Sequence, residues 1–422
     1  MKKTIALTLA AAMTASVLTG CGSGTSSGSK SETAQNTQAD SGTKAQEDAP
    51  AADGEESGGA PSGDPIRIGG IAPVTGDKAE MGESFWRSWQ LAIDKVNAEG
   101  GIMGRPVELV LEDSKADPKE AVELTKKMGD NEDICAVLGP MASSEAIACA
   151  PVFEEYNMVE LSPCASNNQY APMSEYAFTL AGKMDAEMPY LVERGIHEYL
   201  DAKSIAVIWV NDDWGSSAYQ STEEGCSQYG IEITDNESFV SGEKDFTAIL
   251  TKIRQTNPEY LLLITQAADG ALILNQVKSM GWEIPIIGAG AMYSDQVILL
   301  AGDASENLVA SAAFFLSEDD PVAWDYATKF SEGAGFYPTI HGPLSYDATL
   351  LLCAAIEKAG TTDRQAVRDA LMETTDADVN GLLAGPYSFT EDGDIIRAYC
   401  LVKIQDGKWT RVSEYTKCSK FE

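Results

Sequence analysis

The feature that most constrains this chain is a pair of largely apolar runs, each cut short by a proline and each followed by small hydroxyl residues. Ile134–Leu138 stops at Gly139-Pro140, and residues 158–161 stop at Ser162-Pro163. A continuous apolar run without alternation reads as a strand buried on both faces, as in a parallel sheet. Residues 145–156 between them fit the helix that a parallel crossover needs. The loops that leave such strands, Ser143-Ser144 and Cys164-Ala165-Ser166, then lie side by side at the carboxyl end of the sheet, where small ligands bind in open α/β folds. Free N–H groups at the helix start favour an anionic group such as a carboxylate. The same serines serve equally well as helix caps, and both readings stand on the loops alone.

The alternation extends in both directions. Residues 66–71 read as a first strand, leading through the loop 73–82 to a helix at 83–99 that Gly100-Gly101 ends. In that helix Phe85, Trp86 and Trp89 have the spacing of core residues. Residues 107–111 form the next strand, and Asp117-Pro118 opens a helix at 119–128. In the second half the expected strands are Ser204–Val210, 258–265, 284–288 and 309–315. The expected helices run from after Gly215 to about Tyr229, from Asp245-Phe246 onward, and over 270–280, 347–359 and 364–374. Trp214, between Asp213 and Gly215 at a strand end, reads as an exposed loop residue. Residues 385–389 and 398–404 are expected to flank a hairpin turn at Glu391-Asp392-Gly393-Asp394. Strands alternating with helices predict an α/β fold of doubly wound parallel sheets.

The first 64 residues are of another kind. Lys2-Lys3, the apolar run 5–17 and Leu18-Thr19-Gly20-Cys21 resemble a bacterial lipoprotein signal, with cleavage before Cys21 and lipid on its thiol. The run is too short to span a bilayer. Residues 22–64 are Gly, Ser, Thr, Ala and acid, with two lysines against eight carboxylates. Such a segment buries too little to offset its ordering entropy and reads as a disordered tether. The whole chain carries a formal net charge of −35, which argues against nucleic acid or anionic lipid as a partner. Besides Cys21 there are seven cysteines, none in a Cys-x-x-Cys pair, and an odd number leaves at least one thiol unpaired within a single chain. His197 and His341 have no metal-ligand spacing around them, so neither metal nor cofactor is expected.

The run Asn97-Ala98-Glu99-Gly100-Gly101-Ile102-Met103-Gly104-Arg105-Pro106-Val107, followed by Asp113 and Asp117-Pro118, resembles the branched-chain amino acid (Leu/Ile/Val) substrate-binding proteins of ABC importers, in the type I periplasmic binding protein family. Leu138-Gly139-Pro140 with Ser143-Ser144, Ser162-Pro163, and Gly242-Glu243-Lys244-Asp245-Phe246 fall in that family's order, and the likeness covers essentially all of 65–422. It implies two doubly wound, Rossmann-like lobes, 65–185 plus 314–400 and 186–313 plus 401–422. They would be joined by a three-crossing hinge near 183–185, 312–314 and 399–401. It further implies a monomer lipid-anchored outside the cell membrane that passes a small amino acid or related molecule to a permease. Carried over by motif, Ser143 and Ser144 would hold the ligand carboxylate, and Ala165 and Ser166 its ammonium. Asp185 falls at the hinge, Met81 in the side-chain pocket, and Trp214, Gln266 and Ala267 on the second lobe.

One position departs from the family. The acid that pairs with the ammonium aligns with Gly290. A buried ammonium without a charge partner is costly, so either Asp269, Asp185 or Asp212 substitutes, or the ligand has no amino group. Enzyme readings fare poorly. Ser241-Gly242-Glu243-Lys244 fits Ser-x-x-Lys, but Ser-Asp-Asn and Lys-Thr-Gly are missing. Two other readings are a ligand sensor for a signalling partner and a carboxylate-dependent hydrolase.

Overall fold

The computed structural model describes residues 60–421 apart from Asp77 and Ala384. The signal, Cys21 and residues 22–59 of the expected tether lie outside the described residues.

Chain order gives β1 (Ile66–Ala72), α1 (Ala79–Ala98), β2 (Val107–Asp113), α2 (Pro118–Gly129), β3 (Ile134–Leu138), α3 (Ser143–Glu155), β4 (Val159–Ser162) and β5 (Ala177–Thr179). These strands form one all-parallel sheet in the order β2-β1-β3-β4-β5. All five residues of β3 are buried, as its unbroken apolar run requires. Asp117 caps α2 through bonds from Lys119 and Glu120, with Pro118 at the first helical position.

After α4 (Met184–Tyr190), which continues as a π-helical stretch Leu191–Tyr199, the same alternation resumes. It runs β6 (Ser204–Val210), α5 (Asp213–Tyr229), β7 (Glu232–Phe239), α6 (Thr247–Gln255), β8 (Tyr260–Ile264), α7 (Ala267–Ser279), β9 (Ile286–Gly288), α8 (Asp295–Ala301) and β10 (Val309–Ala312). The helices α9 (Pro321–Ala334), α10 (His341–Ala359) and α11 (Arg364–Met372) follow, and then β11 (Cys400–Gln405) and β12 (Lys408–Arg411). The second sheet has the order β12-β11-β10-β9-β8-β6-β7, antiparallel only where β11 meets β10 and β12.

Each sheet has its own core. Ile68, Phe85, Trp89 and Leu138 pack with Leu351 and Leu352 of α10 around the first sheet. Met188, Ile205, Val207, Leu262 and Leu401 pack around the second. The chain passes between the two three times, between Leu180 and Met184, between Ala312 and Phe314, and between Ile395 and Tyr399.

Three elements differ from expectation. The hairpin is β11–β12 rather than a pairing across 391–394, and its turn is Asp406-Gly407, both at positive φ. Thr390–Asp394 does form a turn, but it joins no strands. The edge strand β7 is mostly solvent-facing and polar, so its sequence reads as loop. Finally, β10 ends at Ala312, three residues short of the expected strand.

Candidate functional site

In each sheet the winding reverses once, between β1 and β3 and again between β6 and β8. Loops diverge at such a point and leave a crevice. The loops from both reversals line a single cavity of about 130 Å3. Lys78 and Met81 follow β1, Ser143 and Ser144 follow β3, Asp212 and Trp214 follow β6, and Gln266 follows β8.

Two glycines let helices start this close to the strands. A Cβ at Gly82 would sit 1.8 Å from the Pro73 carbonyl oxygen, and one at Gly215 would sit 1.9 Å from that of Val210. Any side chain would push the first turn of α1 or α5 away from its crevice.

Ser143 and Ser144 are not caps. The cap position of α3 is Ala142, whose N–H donates to the Glu145 side chain at 3.2 Å. The serines therefore occupy the first helical turn, with both side chains on the cavity. Ser143 Oγ accepts from Asn167 N–H at 3.3 Å, and the helix end brings partial positive charge to the same place. Among the described residues Lys78 is the cavity's one cationic side chain, near Asp212 and Glu145.

Among the described residues the cavity has two acids, one of them from an element that no sequence expectation covered. Glu187 of α4 lines it. Its Oε1 accepts from Gly290 N–H at 2.7 Å and from Ser311 Oγ–H at 2.9 Å, and Oε2 has no hydrogen bond among the described residues. A Cβ at Gly290 would lie 2.8 Å from Glu187 Oε1. The glycine where an acid was expected thus makes room for an acid from elsewhere. Burial pushes the Glu187 carboxyl above its ordinary range, against the lowering pull of its two donors.

The other candidate acids are otherwise engaged. Asp185 lies outside the cavity and pairs with Lys420 at 3.1 Å; two residues along a helix is about 200° of rotation, so Glu187 faces inward when Asp185 faces out. Asp269 accepts from Ser241 Oγ–H and Gly242 N–H, which also gives the Ser-x-x-Lys serine a structural partner. Asp212 does line the cavity, but it caps α5 through Gly215 N–H at 2.8 Å.

The remaining candidates divide. Met81, Ser166, Trp214, Gln266 and Gly290 line the cavity. Trp214 does so from the first turn of α5, half-buried, rather than from an exposed loop. Ala165 does not, because its side chain packs under α3 with Ala146 and Tyr170. Ala267 opens α7 and is buried in the second core region. His341, to which the sequence motifs assign no ligand role, also lines the cavity, stacked on Phe85 with centroids 5.6 Å apart. Burial lowers its pKa to about 4, so it is a neutral polar group there.

Two groups of bonds cross the cavity's rim. Asn167 Nδ2 donates to the Asp213 carbonyl at 2.6 Å, Asn168 N–H to Ser217 Oγ at 3.1 Å, and Asn168 Nδ2 to Ser221 Oγ at 3.0 Å. Elsewhere Gln296 Nε2 donates to Glu80 at 3.3 Å.

A profile of the periplasmic binding protein family matches residues 65–408. The chain belongs to that family. Its members are solute-binding proteins of transport rather than enzymes. An amino acid binding protein of Pseudomonas aeruginosa is 28% identical over 302 residues, 71% of this chain and 80% of that protein. The Leu/Ile/Val-binding protein homolog 1 of Brucella abortus is 27% identical over 354 residues, 83% of this chain and 94% of its own. Among solved structures, the branched-chain amino acid transporter substrate binding protein LivJ of Streptococcus pneumoniae, in complex with isoleucine, superposes with a TM-score of 0.76. It shares 24% identity, covering 84% of this chain and all of that one. An ABC transporter solute binding protein of R. palustris in complex with benzoate gives 0.72 at 17% identity, covering 84% and 98%. The family fold is that of the two parallel-sheet cores described above.

Proposed function

We propose that this protein is the receptor of an ABC importer, anchored outside the cell membrane by lipid on Cys21 and binding a small α-amino acid in the cavity described above. Two lobes, 65–185 plus 314–400 and 186–313 plus 401–422, close on the ligand by bending at the three crossings. The permease then reads the closed state. The receptor does no chemistry.

The observation that carries this reading is the charge pattern of one small cavity. The start of α3 with Ser143, Ser144 and Lys78 suits a carboxylate, and Glu187, from a separate element, offers Oε2 to an ammonium. Trp214, Met81 and Leu344 give the ligand's side chain apolar walls. The names of relatives point the same way, since several bind Leu, Ile or Val.

A second reading has its own support. The relative bound to benzoate holds a carboxylate without an amine. With its pKa raised, Glu187 can be protonated and donate to a neutral ligand atom.

Thermal unfolding against α-amino acids and the matching acids without the amine separates the two. A ligand at ~100 times its dissociation constant adds ~2.7 kcal/mol of stability. Stabilisation by the amino acids alone supports the first reading, and by the deaminated acids alone the second. No stabilisation by either set refutes both.

A further inference from the structure

A second cavity, of about 870 Å3, shares Ile340 as a wall with the ligand cavity. It stands apart from the site discussed above, and its chemistry differs. We propose that it binds a small organic cation, an aromatic or alkylated ammonium compound.

The walls are aromatic and held in place. Tyr293 stacks with Phe315 at 6.1 Å and meets the edge of Trp409 at 5.2 Å. Its hydroxyl oxygen accepts from Leu316 N–H at 3.2 Å, and Trp409 Nε1 donates to the Ser294 carbonyl at 3.2 Å. On the opposite side Trp324 and Tyr337 stack at 5.6 Å. A stacked ring has one face covered by its partner and the other left free, and a free π face attracts cations.

Charge makes the choice among apolar ligands. The cavity is edged by Glu80, Asp295 and Glu318 against Lys408 alone. Among the described residues neither Asp295 nor Glu318 takes part in an ion pair. Both stand exposed at the cavity's solvent edge. An anion would face three carboxylates, whereas a cation meets rings and carboxylates together. Leu299 at 81% exposed and Leu300 at 48% add an apolar lip, of the kind that marks an interaction site.

The walls come from both halves of the molecule. Tyr293, α8, Trp409 and Phe315 pack with the second sheet, whereas Trp324 and Tyr337 follow the crossing at 312–314. An occupant that touches both halves biases how they close, and so couples to the ligand cavity. By linkage the coupling is reciprocal.

The test is calorimetric titration of the full chain with benzylammonium, using benzyl alcohol and benzoate as uncharged and anionic controls. Saturable binding of benzylammonium is expected, at least about tenfold tighter than the alcohol, with none for benzoate. Asp295→Asn and Trp324→Ala should each weaken it severalfold. Equal binding of alcohol and ammonium, or indifference to both Asp295→Asn and Trp324→Ala, would overturn the proposal.

Discussion

Replacing Glu187 with Gln keeps the shape of the side chain and an oxygen that accepts from Gly290 and Ser311. Only the charge is lost. If Oε2 meets an ammonium in a cavity closed to water, removing one partner of that pair costs about 2–5 kcal/mol. Each 1.4 kcal/mol is tenfold, so affinity for an α-amino acid should fall by roughly 30-fold to a few thousandfold. The same acid without its amine should bind the variant as well as before, or better. Stability should move the other way. The folded-state pKa of Glu187 is raised by burial, so between the unfolded and folded values the native state holds more protons. Wild-type stability therefore falls as pH rises through that window. Glu187→Gln has no such loss, and without ligand it should be at least as stable as wild type at neutral pH. Calorimetric titration with leucine and 4-methylpentanoate, together with urea unfolding, reads both effects. Equal loss for the two ligands, or no loss for leucine, would refute the assignment of Glu187 to the ammonium.

Ser143→Ala combined with Ser166→Ala should weaken binding of an amino acid at least tenfold, since bonds to charged groups are worth about 1.5–3 kcal/mol each; unchanged affinity in a titration would remove both from the site. Ser217→Ala with Ser221→Ala deletes two rim bonds to Asn168, worth about 1–3 kcal/mol together. Ligand affinity should drop about five- to a hundredfold while unfolding without ligand changes less, and parallel changes would mean that the bonds do not depend on closure. Glu160 in β4 is fully buried, and among the described residues its carboxylate has no ion-pair partner. Burial raises its pKa well above 4.5, so its native-state stability is highest below that value and falls as pH rises. Urea midpoints of Glu160→Gln should pull ahead of wild type from about pH 4.5 upward, and curves that stay parallel would show that Glu160 is not the cause.

Much of the fold is legible in residue patterns. The unbroken run of β3 and the Asp117-Pro118 start of α2 each have one cheap conformation, and the structure adopts it. The hairpin was legible too. Asp406-Gly407 between alternating residues is a strong turn signal, whereas the acidic cluster at 391–394 turns without joining strands. β7 lies on a sheet edge with its side chains mostly exposed or half-buried, so it carries no apolar run to read. The site was harder because it depends on phase. Asp185 and Glu187 are equivalent in composition, and only the rotation of a seven-residue helix decides which enters the cavity. The meaning of Gly290 likewise requires knowing that another carboxylate approaches it within 2.8 Å of a would-be Cβ.

The bonds that Asn167 and Asn168 make to α5 run between amides, a carbonyl and hydroxyls. Dipoles hold no counterion cloud, so forming these contacts releases none and dissolved salt has little purchase on them. A zwitterionic ligand adds no net charge to the balance. The dissociation constant should then stay nearly flat from dilute medium to brine, even on a chain of net charge −35. A solute-binding protein held by such bonds keeps its affinity when the surrounding salinity changes.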